Sequence, residues 1–177
     1  MKLTKIKKEA HRSIFLIEDV KASYLNALRR ILQYEVPIMA IESVEIRKNS
    51  SVLYDEMLAH RLGLLPLTTD SASYRLLQAG EAPDSPATTV TFTLQAEAKD
   101  EIITVMAKDL KGSDPKIGPV HPDTPIVKLH PGQSIELQAK AIMGIGKEHA
   151  KWNTGLVFYR EIPNLTLTDP LRKGALP

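Results

Sequence analysis

Val90, Phe92, Leu94 and Ala96 alternate without interruption with Thr91, Thr93 and Gln95. Successive side chains of a strand point to opposite faces, so this run predicts a strand with one dry and one wet face. The runs around it extend the pattern. Ile103 and Val105, after Ala98-Lys99-Asp100, read as its partner strand, and Ile126 to Leu129 and Ile135 to Ala141 as two further short strands around His130-Pro131-Gly132-Gln133. The middle of the chain is therefore mainly antiparallel β.

Only two segments show helical spacing. Leu25, Leu28 and Leu32, joined by Tyr24 and Ile31, recur every three or four residues with no Gly or Pro. They predict an amphipathic helix that starts at Asp19 or Ser23, runs to about Tyr34 and stops before Pro37. A second helix is predicted from about Leu53 to Leu62, with Asn49-Ser50-Ser51 as candidate caps. Its Asp55 and Glu56 sit in the first turn and its His60 and Arg61 in the last, as the helix dipole favours, and Gly63 and Pro66 end it. Lys2 to Lys8 and Arg12 to Glu18 read as an opening hairpin, and Ile38 to Arg47 as a strand. Ser71 to Pro86 and the proline-rich stretch Asp109 to Pro125 read as loops. Gly144 to Asn153 is a polar connection, followed by short strands at Leu156 to Tyr159 and Leu165 to Leu167. The fold class is α+β.

A chain of 177 residues makes one ordinary domain or two small ones. With 43% hydrophobic and 25% charged residues it has the balance of a globular rather than a disordered protein. The net charge of +2 is too small to announce a phosphate-binding surface. The chain has no cysteine, which excludes disulfides, thiolate zinc sites, iron–sulfur clusters and cysteine nucleophiles and fits a cytoplasmic setting. The longest apolar runs, such as Ile14 to Ile17, are far too short to span a bilayer.

Candidate chemistry is sparse. Gly144-Ile145-Gly146-Lys147 resembles a phosphate loop only superficially, because the glycine spacing is wrong and Glu148, in place of Ser or Thr, would repel a phosphate. The five histidines (His11, His60, His121, His130, His149) form no pair at zinc-ligand spacing, so no metal or other cofactor is expected. Asp55 and Glu56 are adjacent on a helix, point in different directions and already have a dipole reason to be there. The first helix is more informative. It carries apolar residues on more than one flank, with Arg29 and Arg30 beside them. Either it packs in its own core with a solvated basic face, or it buries one flank internally and one against a partner.

Three segments raise the reading from class to family. They are Asn26-Ala27-Leu28-Arg29-Arg30-Ile31-Leu32 with Val36 to Ile41, then the run from Asn49-Ser50-Ser51-Val52-Leu53-Tyr54-Asp55-Glu56 through Met57-Leu58-Ala59-His60-Arg61-Leu62-Gly63 to Leu67, then Gly144-Ile145-Gly146-Lys147-Glu148-His149-Ala150-Lys151-Trp152. In this order they resemble the D-type family of archaeal RNA polymerase subunits, with counterparts in the third-largest subunit of eukaryotic polymerase II and the N-terminal domain of the bacterial alpha subunit. The resemblance covers about residues 1 to 167. It implies a discontinuous dimerisation domain with helices on an antiparallel sheet, residues 1–48 and 152–177, interrupted by a mainly β insert domain, residues 49–151.

The resemblance further implies a non-catalytic assembly platform. Such a protein pairs with an L-type partner, recruits the small N- and P-type subunits and carries the large catalytic subunits, with no sequence-specific DNA contact and no membrane. The implied interface residues are Tyr24, Leu25, Asn26, Leu28, Arg29, Arg30, Ile31 and Leu32 on the first helix, His60 and Arg61 on the second, and Lys147, Glu148, His149, Lys151 and Trp152 in the later loop. Family members with cysteines or iron–sulfur clusters in the insert differ from this chain, so no metal carries over. The family's long C-terminal helix has no counterpart here, because Pro170, Gly174 and Pro177 punctuate the tail. The expectation is a separately encoded C-terminal fragment that supplies it, with an artificially truncated chain as the plain alternative. A truncated polymerase-binding regulator and a small stand-alone hydrolase or nucleotide binder using His60, His149 or Lys147 are the rival functions.

Overall fold

A computed structural model describes residues 1–9, 12–78, 80–81 and 85–163. The chain divides into two compact units, one of Met1–Arg29 with the described residues from Val157 onward, the other of Arg30–Leu156.

In the first unit, β1 (Lys2–Lys8) pairs antiparallel with β2 (Ser13–Glu18). Every residue of β1 is exposed, Leu3 and Ile6 included. Ala10 and His11 lie outside the described residues. Helix α1 (Ala22–Tyr34) follows, and the boundary between the units falls within it.

The second unit is built on a four-stranded antiparallel sheet. Its strands are β3 (Ile38–Asn49), β4 (Thr89–Glu97), β6 (Lys111–Gly112) and β8 (Ser134–Gly144), in the order β3-β8-β4-β6. The alternation in β4 becomes a layer of the core: Val90, Phe92 and Leu94 are buried and face Ala141, Ala139 and Leu137 of β8. Large residues thus stand opposite small ones at two of three steps, which lets the layer close without voids. Helix α2 (Asp55–Gly63) packs on β3 and on β7 (Pro125–Leu129) through Leu58 and Leu62, neither of which is solvent-accessible.

Three expectations are corrected. β5 (Ile103–Met106) pairs with β7, not with β4, whose neighbours are β8 and β6. Alternation specifies which face is dry but not which strand lies alongside, and β8, with the longer dry face, wins the place. Leu156 to Tyr159 is not a strand, and Leu156 and Phe158 are strongly exposed. The N-cap of α2 is Tyr54 rather than Asn49, Ser50 or Ser51; no side chain bonds to the cap, and Asn49 and Ser51 instead fasten the preceding turn. Leu165 to Leu167 and the tail from Thr168 lie outside the described residues. Among the described residues no helix is long and apolar enough to cross a membrane. The fold is α+β, with antiparallel sheets and two α-helices among the described residues.

Candidate functional site

Helix α1 has the periodicity of a packed helix, yet none of its residues is buried. Leu25, Leu28 and Arg29 are half-covered, Asn26 and Arg30 are exposed, and Tyr24, Ile31 and Leu32 keep 49%, 46% and 43% of their surface in solvent. Arg29 donates from Nε and Nη2 to Asn26 Oδ1 at 3.2 and 3.0 Å, which lays its guanidinium back along the helix.

The last carbonyls of a helix lack partners within it and must find them elsewhere. Here the connection after β8 supplies two of them and an ion pair beside them. Thr154 Oγ1 donates to Leu32 O at 2.5 Å, the Lys147 N–H donates to Tyr34 O at 3.1 Å, and Lys147 Nζ pairs with Glu35 Oε1 at 2.6 Å. Gly146 is needed for this approach, since a Cβ there would stand 3.0 Å from Gln33 O and 3.1 Å from Tyr34 Cα. The predicted loop residue Lys147 is thus bound to the end of α1 while its side chain remains largely exposed.

The rest of the loop turns inward. Trp152 is 5% exposed and its indole lies flat where a Cβ of Gly144 would be, with Nε1 donating to Ile142 O at 3.4 Å. Lys151 reaches β3, where Nζ donates to Ile41 O at 3.1 Å and pairs with the Glu42 carboxylate, 4.3 Å from the centre of the Trp152 ring. Glu42 is the extra residue of a β-bulge between Ile41 and Ser43, and the bulge leaves it outside the ladder with β8. His149 Nδ1 accepts the Lys151 N–H at 3.0 Å, and its ring meets Trp152 edge-on at 6.4 Å. Of the predicted loop residues, Lys147, Glu148 and His149 remain at the surface. Glu42 and Thr154 were not in the predicted set, and only their three-dimensional neighbours reveal them; Gly144 opens the predicted loop, but its packing under Trp152 shows only in the structure.

On α2, His60 and Arg61 are both exposed. Arg61 is committed to the chain itself, donating from Nε to Ile126 O at 2.9 Å and from Nη2 to Pro125 O at 2.7 Å. His60 and His149 come together on the wall of a depression of about 150 Å³, with Glu42 and Lys151 beside them. Among the described residues no three His, Asp or Glu side chains converge as a metal site requires.

Displaced titration occurs in another cluster. Burial, then the hydrogen bond to Asp114 Oδ2 at 2.7 Å, push the Tyr74 hydroxyl up to about 12. Asp70 is lowered by the Ser73 hydroxyl and the Ala72 N–H. Each of these shifts has a hydrogen-bond partner that fastens a loop.

Residues 44–157 match the family described as the RNA polymerase Rpb3/RpoA insert domain. The chain is 46% identical over 156 residues to DNA-directed RNA polymerase subunit Rpo3 of Pyrobaculum neutrophilum, an alignment covering 87% of this chain and 59% of that one. It is 41% identical to Rpo3 of Pyrococcus horikoshii, covering 90% of this chain and 59% of the relative. With Rpo3 of Methanosphaera stadtmanae it shares 40% identity, covering 90% and 61%. The chain thus spans about three-fifths of the length of these relatives. A match over most of the sheet-bearing unit, together with identity above 40% to such relatives, is decisive: the chain belongs to the RNA polymerase Rpb3/RpoA insert-domain family.

Proposed function

We propose that this chain is a non-catalytic assembly platform of an archaeal-type DNA-directed RNA polymerase, acting in transcription in the cytoplasm. The observation that carries the reading is helix α1, whose stripe is as regular as that of a core helix but buries no residue within the chain. Tyr24, Ile31 and Leu32 keep nearly half of their surface in water, and covering that remainder gains about 25 cal/mol per Å² of apolar surface, so a partner is favoured there. Family membership and the identity of the relatives support polymerase as the setting. In this reading residues 1–48 and 152–177 form the dimerisation part and residues 49–151 the insert. The L-type partner pairs through the dimerisation part, the N- and P-type subunits dock beside it, and nucleotidyl transfer belongs to the large subunits.

Arg29 and Arg30 suit such a surface because a guanidinium can grip a partner's carboxylate with two parallel bonds. Replacing both by Ala should leave the circular dichroism of the chain unchanged and remove a large polymerase subunit from pull-downs. A pull-down that still recovers every subunit would overturn this reading of α1.

A further inference from the structure

The connection after β8 closes on a single 3-10 turn, Ala150–Trp152, whose cap differs in kind from the common ones. Helix caps are most often Ser, Thr, Asp or Asn, whose side-chain oxygens accept a hydrogen bond at any pH near neutrality. Here the capping acceptor is Nδ1 of His149, which takes the Lys151 N–H at 3.0 Å. Two backbone bonds complete the turn, from the Trp152 N–H to His149 O at 3.1 Å and from the Asn153 N–H to Ala150 O at 3.0 Å. A turn this short has no long ladder of bonds behind it, so each one counts.

The turn carries the two side chains that fasten the connection to the sheet. Lys151 Nζ bonds to Ile41 O and to the Glu42 carboxylate on β3, and the Trp152 indole packs on Gly144. Just beyond it, Thr154 Oγ1 donates to Leu32 O at the end of α1. A change at His149 therefore reaches both the sheet and the helix end.

An imidazole accepts at Nδ1 only through the lone pair of its neutral form, whereas in the cation both ring nitrogens carry hydrogen and donate. A proton taken from water at Nδ1 sets N–H against N–H and removes the cap. Histidine is the side chain that ordinarily makes this change between about pH 5 and 8. His149 shares its hollow of about 150 Å³ with Glu42 of β3, His60 of α2 and Lys151 of its own turn. Glu42 is paired with Lys151, so these charges offset one another while both rings are neutral. Glu148 precedes His149 in the chain, and Lys147 is occupied by Glu35 at 2.6 Å. Glu42 and Glu148 attract a charge on His149 but cannot restore the lost acceptor, and Lys151 and a protonated His60 repel it.

We propose that His149 is a pH-operated latch on this connection. Neutral, it holds the Ala150–Trp152 turn closed; protonated, it releases the turn, loosening Trp152 from Gly144 and the connection from the end of α1. The latch lies within the chain and does not depend on what covers α1.

The test compares the full chain with His149→Asn, His149→Ala and His60→Asn at about pH 8 and about pH 5.5, on either side of the ordinary histidine value. Asn offers an oxygen acceptor that does not titrate, Ala offers none, and the change at His60 removes the neighbouring ring. One readout is the hydrogen-exchange rate of the Lys151 N–H, divided by its rate in His149→Asn at the same pH, which cancels the direct effect of pH on exchange. The other is the emission wavelength of Trp152, the single tryptophan. In the unaltered chain the exchange ratio should lie near one at the higher pH. At the lower pH it should rise roughly two- to tenfold, the range that one lost hydrogen bond allows, with emission shifted to the red. His149→Asn should keep its emission wavelength at both pH values. His149→Ala should exchange fast and emit to the red at both, and His60→Asn should still switch. An unaltered chain that does not change between the two pH values, a red shift that persists in His149→Asn, a switch abolished by His60→Asn, or a His149→Ala variant that matches the unaltered chain at the higher pH would each overturn the proposal.

Discussion

Helices α1 and α2 start from similar patterns and end in opposite situations. The 13-residue α1 is the longer and has the more regular stripe, yet none of its residues is fully buried; the nine-residue α2 buries Leu58 and Leu62 completely. What keeps α2 in place is its inner face on β3 and β7. What keeps the end of α1 in place is polar: Leu32 O and Tyr34 O bonded to Thr154 and Lys147. An apolar stripe states that a face must be covered and leaves open whether the cover is the chain itself or another molecule.

The contrast is broken most strongly at Leu58. Leu58→Ala removes a fully buried side chain from a packed core and should cost about 2 to 5 kcal/mol. Ile31→Ala, on the uncovered face of α1, should cost no more than about 0.5 kcal/mol in the isolated chain. Chemical denaturation of the two variants measures both. Equal losses would mean that α1 is covered in solution by something within the chain.

Gly144→Ala attacks the loop that holds the end of α1, at the point where Trp152 packs on β8. A Cβ there collides with Cδ2, Cε2 and Cε3 of the Trp152 ring, and the indole, boxed in on that side, must move. Overpacking of this kind costs about 1 to 3 kcal/mol. Trp152 is the single tryptophan, so its fluorescence should shift to the red as the ring meets water. Thr154→Val should have a smaller effect. It preserves shape and removes the hydroxyl that donates to Leu32 O, for a loss of about 0.5 to 1.5 kcal/mol. Faster hydrogen exchange of the Lys147 N–H, which donates to Tyr34 O, would show that the loosening reaches the helix end.

The contrast also marks what could be read in the sequence. Period and punctuation place α1, α2, β3, β4, β7 and β8 to within a few residues, because each depends on neighbours in sequence. Pairing is different: nothing in Ile103 to Met106 states that its neighbour is β7. The two-residue β6 is hidden in a loop rich in proline, where local pattern carries no signal. At the candidate site, the motif around Gly144 to Trp152 stands out in the sequence, but its internal use does not. Trp152 reads as a surface aromatic until Gly144 is seen beneath it, and Lys151 as a free cation until the bulge at Glu42 is seen. Exposed Leu64 is indistinguishable by residue type from the buried Leu58 and Leu62.

The smallest expected effect concerns a segment held neither by burial nor by a helix-end bond, and it sharpens the comparison by adding a third kind of fastening. Arg75 grips Glu81 with two bonds, Nη1 to Oε2 at 2.8 Å and Nη2 to Oε1 at 2.6 Å, and the Gln78 N–H adds a third to Oε2 at 3.1 Å. The Arg75 side chain first, then that N–H, draw the Glu81 carboxyl from its ordinary 4.5 down to about 2. A carboxyl whose folded value lies below its unfolded value binds protons more readily in the unfolded chain. Its contribution is therefore fully present above the unfolded value and is lost as pH falls toward the folded one. The stability difference between the chain and Glu81→Gln should accordingly stay level from pH 7 to about 5, then shrink as pH falls through 4.5 toward 2. Because the pair lies at the surface, salt near 1 M, where the screening length is about 3 Å, should shrink it at neutral pH as well. A difference that grows on acidification would mean that the carboxyl is held in its neutral form, and that the segment is fastened by something other than the charge on Glu81.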